Sequence, residues 1–156
     1  MAKKIKFNLG DIFLVPLEEN LYGVGRVLKI NLATVLVELY YMKPIKDVAD
    51  FNFDEAKMRK PIVMAWCYDD GLRNGNWRIF GNKPINEEIE MPYFWTQDAA
   101  NKKYSIRRGT PDSFMTYGEH IEIRKEDIDK YDMFGIGNEI SFGRRYVRRL
   151  KEAGLL

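Results

Sequence analysis

The first half of the chain alternates short apolar runs with polar turns, which is the pattern of an antiparallel meander. One apolar run, from Asp11 to Leu17, ends at the turn "EEN", and a second extends from Tyr22 to Ile30. The third, from Ala33 to Met42, is dense in β-branched and aromatic residues, which favour strands. Later runs predict further strands over Ile62 to Tyr68, Trp77 to Phe80, Ile89 to Thr96, "NKKYSIRRG" and "EHIEIRK".

Helical periodicity is convincing only near the C-terminus. A helix is predicted from about residue 142 to 153, with Ser141 placed to cap its start and Gly154 to end it. Four apolar side chains recur at helical spacing and form one stripe along it: Phe142, Tyr146, Val147 and Leu150.

The order of these elements predicts an α+β fold that is mostly β. We expect a curved antiparallel sheet or a partly open barrel from residues 10 to 96, within the strand-rich residues 10–124, with the C-terminal helix packed on it. No repeat and no low-complexity linker divides the chain, so residues 1–156 are predicted to form a single domain.

Composition narrows the class of protein. With 46% hydrophobic and 31% charged residues, the chain has the profile of a soluble globular protein. Its net charge of +2 does not indicate what kind of partner it binds. The low charge disfavours strong general affinity for nucleic acid, because that affinity grows with the number of phosphates neutralised. No apolar stretch is long enough for a signal sequence or a membrane span, so we expect a cytoplasmic protein without a membrane partner.

Two glycines interrupt the second strand, where each weakens it. Gly23 and Gly25 alternate onto one face, and the absence of their side chains lets a neighbouring strand or an aromatic ring lie close. We interpret them as structural glycines that serve the curvature of a small barrel. Close approach of a binding partner is the alternative.

Candidate catalytic chemistry is sparse. His120 is the only histidine and starts a polar strand, and Cys67 is the only cysteine and lies in the apolar run "PIVMAWCY". The motif "YGVGRV" continues into a strand rather than a helix, so it does not predict a dinucleotide loop. We therefore predict no catalytic residue, no metal site, no cofactor and no enzyme activity.

The strongest electrostatic feature is the segment "GRRYVRRLK" of the predicted helix. Its cations balance the helix dipole near the C-terminus, or they form a binding face for nucleic acid or an acidic protein surface. The candidates for such a face are Arg144, Arg145, Arg148 and Arg149, followed by Lys151.

Two further groups of residues are candidates for a partner surface. Adjacent side chains in "MPYFWT" point to opposite sides of a sheet, so Tyr93 or Trp95 can face outward as an interface anchor. Should the partner be basic, an acidic patch is the alternative, formed by Asp69, Asp70, Glu87 and Glu88.

The opening "KFNLGDIFLVPLEENLYGVGRVL" and the later "GNWRIFGNKPI" together resemble immunity protein family twenty-six of bacterial polymorphic-toxin systems. The likeness covers roughly residues 6–95 and does not extend over the C-terminal third. The positions that carry it are Gly10, Asp11, Pro16, Leu17, Tyr22, Gly23, Gly25 and Val27, then Trp77, Ile79, Phe80, Gly81, Asn82 and Pro84.

The resemblance implies a protein that binds and neutralises a cognate toxin without catalysis or cofactor. "GDIFLVP" is also similar to the first strand of plasmid-maintenance endoribonuclease toxins, and "RKPIV" is similar to their Arg-Pro strand. Because the two segments lie about fifty residues apart here, this second similarity only favours an SH3-like form of the barrel. A small nucleic-acid-binding module that uses the basic helix remains the alternative function.

Overall fold

The structure is a computed structural model that describes residues 3–110 and 115–156, with side chains described outside 110–119. The chain divides into two compact units. The first unit comprises Met1–Glu88 and Gly137–Leu156, and the second comprises Ile89–Ile136. The single-domain interpretation stays a prediction.

A five-stranded sheet forms the first unit. Its strands are β1 (Asp11–Pro16), β2 (Tyr22–Asn31), β3 (Thr34–Leu39), β4 (Val63–Tyr68) and β5 (Ile79–Asn82). They lie in the order β4-β3-β2-β1-β5, and each pair of neighbours is antiparallel. With β4 and β5 as its edges, the sheet is open rather than closed into a barrel.

Both faces of this sheet are covered, which explains why its strands are apolar without strict alternation. One face carries Ile12, Leu14 and Val24, packed with the chain that follows β3, including the short helix α1 (Phe53–Ala56). On the other face Phe13 stacks on Trp77 with ring centroids 4.9 Å apart. Between β4 and β5, the segment "DDGLRNGN" contains a one-turn helix, α2 (Asp70–Arg73).

The C-terminal helix, α3 (Glu139–Glu152), packs on the Phe13 face of the sheet, as predicted. It begins three residues earlier than expected, and its N-cap is Asn138 rather than Ser141. Ser141 occupies the third helical position, where its hydroxyl accepts from Asn138 N at 3.0 Å while Asn138 Oδ1 accepts from Ser141 N at 2.8 Å. Of the apolar stripe, Val147 is half-buried and the others are fully buried: Phe142, Tyr146 and Leu150.

The second unit is a mixed sheet. Its strands are β6 (Phe94–Gln97), β7 (Tyr104–Thr110), β8 (Met115–Ile123) and β9 (Asp132–Met133), in the order β8-β7-β6-β9. β6 and β9 are parallel, and the other pairs are antiparallel. β6 is shorter than the predicted Ile89–Thr96 because Pro92, which lacks an N–H, precedes it. The prediction of a mostly β fold with an antiparallel sheet and a packed C-terminal helix is confirmed.

Candidate partner-binding surface

The two structural glycines make room for side chains of the protein itself. A Cβ on Gly23 would lie 2.6 Å from Cζ of Tyr146, and one on Gly25 would lie 2.6 Å from Cζ of Phe13. Both distances are far inside van der Waals contact. In the folded chain, aromatic rings of the protein itself therefore occupy the space that side chains at these two positions of β2 would need.

Tyr146 fixes α3 against the sheet through its hydroxyl as well as its ring. The hydroxyl donates to the carbonyl of Tyr40 at 2.6 Å and accepts from the backbone N–H of Val24 at 3.3 Å. Burial raises the pKa of the Tyr146 phenol, which keeps it a neutral donor. The orientation of α3 about its own axis is set by these contacts.

That orientation divides the four candidate arginines into two pairs. Arg149 donates from Nη1 to the carbonyl of Ile62 at 2.9 Å, and Cζ of Arg145 lies 5.0 Å from the Phe142 ring centroid. Arg149 therefore contacts the chain outside the helix, and Arg145 lies against a buried ring of α3 itself. Arg144 and Arg148 are exposed and line a groove beside the helix.

We call this depression the α3 groove; its volume is about 640 Å³. The end of β1, the turn after it and the residues following α2 form one wall, and α3 forms the other. Its lining residues are Pro16, Leu17, Glu18, Asn76 and Trp77 on the first wall, and Glu139, Ile140, Gly143, Arg144, Val147, Arg148 and Lys151 on α3.

The middle of the groove is apolar. Ile140 is 63% exposed, although it is a large aliphatic side chain, and Val147 lies two turns further along the same side of α3. Between them stands Gly143, where an added Cβ would meet only the carbonyl oxygen of Pro16 at 3.9 Å. An apolar side chain of a partner could lie against the helix backbone at this point.

The rim of the groove is charged and partly paired. Lys151 Nζ lies 2.9 Å from Glu18 Oε1 across the groove, and both side chains are about half exposed. Arg148 is 3.9 Å from Glu152 on the same helix. Such exposed pairs are each worth about 1 kcal/mol or less, so a partner carboxylate can replace them at little cost.

A second groove of similar size, about 660 Å³, lies on the first unit near the chain that follows β3. Its lining includes the cations Lys43 and Lys46 and the acids Asp50 and Glu55. Its remaining cation, Arg59, has its Cζ 4.9 Å from the Tyr41 ring centroid. This groove provides a comparison surface for experiments on the α3 groove.

The aromatic candidates lie in the second unit, whereas the four arginines lie in the first. Trp95 is half-buried on β6 with its ring 6.0 Å from that of Tyr104. Tyr93, also half-buried, has the guanidinium of Arg108 at 4.1 Å from its ring centroid. Their use by a partner stays a prediction.

The acidic candidates have unequal environments. Asp69 is buried and accepts from Arg73 Nε at 2.7 Å, whereas Asp70 is exposed at the start of α2. Glu87 is held by Arg26, and Glu88 is exposed. Asp69 and Glu87 therefore already have cationic partners within the first unit.

Sequence reasoning missed a buried charge cluster at the centre of the first sheet. Arg26 and Glu38 face each other across β2 and β3, with side chains 1% and 3% exposed and 3.6 Å between the charged atoms. Glu38 also accepts from the Tyr40 hydroxyl at 2.6 Å and from Lys57 Nζ at 3.1 Å, while Arg26 reaches Glu87. The sequence signal for this cluster was a single charged residue in each of two neighbouring apolar strands. The charge is positive in "VGRVL" and negative in "VLVELY".

The groups considered for catalysis are dispersed. Cys67 is buried on β4, and burial raises the pKa of its thiol. His120 is exposed on β8. Within the described residues, no three His, Cys, Asp or Glu side chains converge in a way that could hold a metal ion.

Comparison with known proteins identifies the family. The family model described as Immunity protein 26 matches residues 8–106, which include β1 to β6 and the start of β7 but not α3. No curated protein and no solved structure matches the chain. The matched region is well over half of the 156 residues and confirms the resemblance, and the chain belongs to the Immunity protein 26 family.

Proposed function

We propose that this protein protects its producer by binding a cognate toxin domain and covering the toxin's active surface, without catalysis of its own. The match to Immunity protein 26 carries the proposal, since that description names immunity as the role of the family. The toxin is the partner, and its identity is to be found by experiment.

A solvent-exposed apolar and basic surface supports the proposal. Arginine is enriched at protein interfaces, and their buried cores are more apolar than the rest of the surface. The α3 groove presents Ile140 beside Arg144 and Arg148. In the part of the chain that the structure describes, no helix is long and apolar enough to cross a membrane. We place the encounter with the toxin in the cytoplasm of the producing cell.

Co-expression tests the proposal directly. The genes next to this one are searched for a toxin domain, which is induced in a bacterial host, alone and together with the full chain carrying an affinity tag. We expect growth to stop with the toxin alone and to continue with both proteins, and we expect the toxin to co-purify with the tag at an ionic strength of about 0.15 M. An unrelated immunity protein of similar size serves as the control.

Two results would count against immunity. One is failure to restore growth when both proteins are present at comparable levels. The other is loss of the toxin on purification together with retention of RNA or DNA at the same salt concentration, which would favour the nucleic-acid alternative.

A further inference from the structure

We infer that the α3 groove receives an acidic segment of the toxin, with one apolar side chain of that segment seated over Gly143 between Ile140 and Val147. This inference rests on the proposed function and deepens it, because it names the surface that binds and the chemistry of what it binds. Three features of the groove support it independently.

The first feature is the concentration of positive charge on α3. The chain has a net charge of +2, and α3 alone carries five cations against two carboxylates, so the chain's excess of positive charge lies on this helix. Of the five, Arg149 contacts the carbonyl of Ile62 and Arg145 lies against the Phe142 ring of its own helix, whereas Arg144 and Arg148 are exposed beside the groove. The complement to this face is a segment with at least two carboxylates.

The second feature is the exposed apolar surface in the middle of the groove. Ile140 and Val147 stand two helical turns apart on the groove side of α3, and Leu17 belongs to the opposite wall. Leaving Ile140 63% exposed forgoes part of the free energy that burial of such a side chain provides. An apolar side chain from a partner would recover that free energy.

The third feature is Gly143, a glycine in the interior of α3 that lines the groove. A glycine inside a helix destabilises that helix relative to alanine. The structure gives no internal reason for it, because its φ is not in the left-handed region and its Cβ would have ordinary contact with a single atom at 3.9 Å. By contrast, Gly23 is required by the Tyr146 ring. Close approach of a partner to the helix backbone accounts for a glycine at position 143.

Two groove variants test the inference, each with a matched control. Arg144→Glu/Arg148→Glu reverses the rim charges, and Lys43→Glu reverses a cation in the other groove. Gly143→Leu fills the centre of the α3 groove, and Gly81→Leu adds the same side chain at an exposed glycine on β5, where a Cβ would have nothing within 4 Å. Binding of the purified toxin domain is followed by surface plasmon resonance at low and high salt, and the melting temperature of each variant is measured.

We expect the double arginine variant to associate about tenfold more slowly at low salt, with the difference shrinking at high salt, because steering by charge is screened. Gly143→Leu is expected to weaken affinity by about tenfold, because its side chain occupies the space of the partner's apolar group. Its melting temperature should equal or exceed that of the parent, since leucine favours the helix. Both controls should bind as the parent does.

The inference is overturned if both groove variants bind the toxin at parental rates while the parent still protects cells, a result that leaves the immunity proposal standing. Faster association of the arginine variant would also overturn it, because the partner face would then be basic. So would a loss of binding confined to Lys43→Glu, which would assign the contact to the other groove.

Discussion

The ring of Tyr146 occupies the space that a side chain on Gly23 would need. The two residues lie on α3 and β2, and the hydroxyl of Tyr146 continues past the glycine to the carbonyl of Tyr40 at 2.6 Å. A glycine in one strand and a tyrosine more than a hundred residues later thus form one packing unit, which holds the helix on the sheet.

Substitution at Gly23 tests this unit. We expect Gly23→Val to lower the free energy of unfolding by about 1–3 kcal/mol, because the added atoms overlap the Tyr146 ring. Gly25→Val should do the same through Phe13 and Leu39. Chemical denaturation measures both, and Gly81→Val is the control at an open position. Parental stability of both variants would refute this explanation of the glycines.

A double-mutant cycle separates packing from general strand effects. Gly23→Ala and Tyr146→Ala should each destabilise, but together they should cost less than the sum, since the new methyl group enters the space that the ring has left. Additive free energies would show that the two residues do not interact.

The buried pair of Arg26 and Glu38 gives a second prediction. Glu38→Gln should destabilise by about 1–3 kcal/mol, because it removes one of the two carboxylates that face a guanidinium only 1% exposed, the other being Glu87. Replacing both with apolar residues, Arg26→Met and Glu38→Leu, should cost less than Glu38→Gln alone. Urea denaturation of the three proteins measures this order, and a larger loss in the double variant would contradict it.

The third prediction concerns acid stability. The hydrogen bond from Arg26 lowers the pKa of Glu87 below its ordinary value of 4.5. The folded state therefore binds fewer protons at Glu87 than the unfolded state, so the stabilisation is present above pH 4.5 and is lost as pH falls through the folded pKa. We expect Glu87→Gln to flatten the fall in unfolding free energy below pH 4.5. Exposed Glu88→Gln is the matched control, and equal pH profiles for the two variants would contradict the assignment.

The fourth prediction concerns Cys67. Because the thiol is buried and its pKa is raised by burial, it should not react with a disulfide reagent at pH 8 until the protein unfolds. The rate of labelling should rise with denaturant in parallel with unfolding. Rapid labelling of the native protein would show that the β4 region opens locally.

The fifth prediction concerns His120. His120→Ala should leave toxin binding and protection of cells intact, because the side chain is exposed and no catalytic role is assigned to it. Added chelators should likewise leave binding unchanged. Loss of binding in a folded His120→Ala protein would place this residue in the interface.

Much of the fold could be read from local sequence. The three opening strands and the apolar stripe of the last helix follow from patterns within short windows, since burial of one face imposes a period on neighbouring positions. The family likeness rests instead on the motif positions between Gly10 and Pro84. Boundaries were less exact. Asn138 and Ser141 each carry a side-chain oxygen that can cap a helix, so local sequence does not decide between them, and the N-cap in the structure is Asn138.

The tertiary structure alone decided which residues meet. The hydrogen bond between Val24 and Tyr146 spans 122 residues, and the pairing of Arg26 with Glu38 depends on the register of two strands. Periodicity placed the arginines of α3 beside its apolar stripe, but only docking of the Tyr146 ring over Gly23 fixed the helix rotation that leaves Arg144 and Arg148 exposed beside the groove. Sequence determines which face of an element is buried because that property is local. What the face packs against depends on contacts between distant parts of the chain.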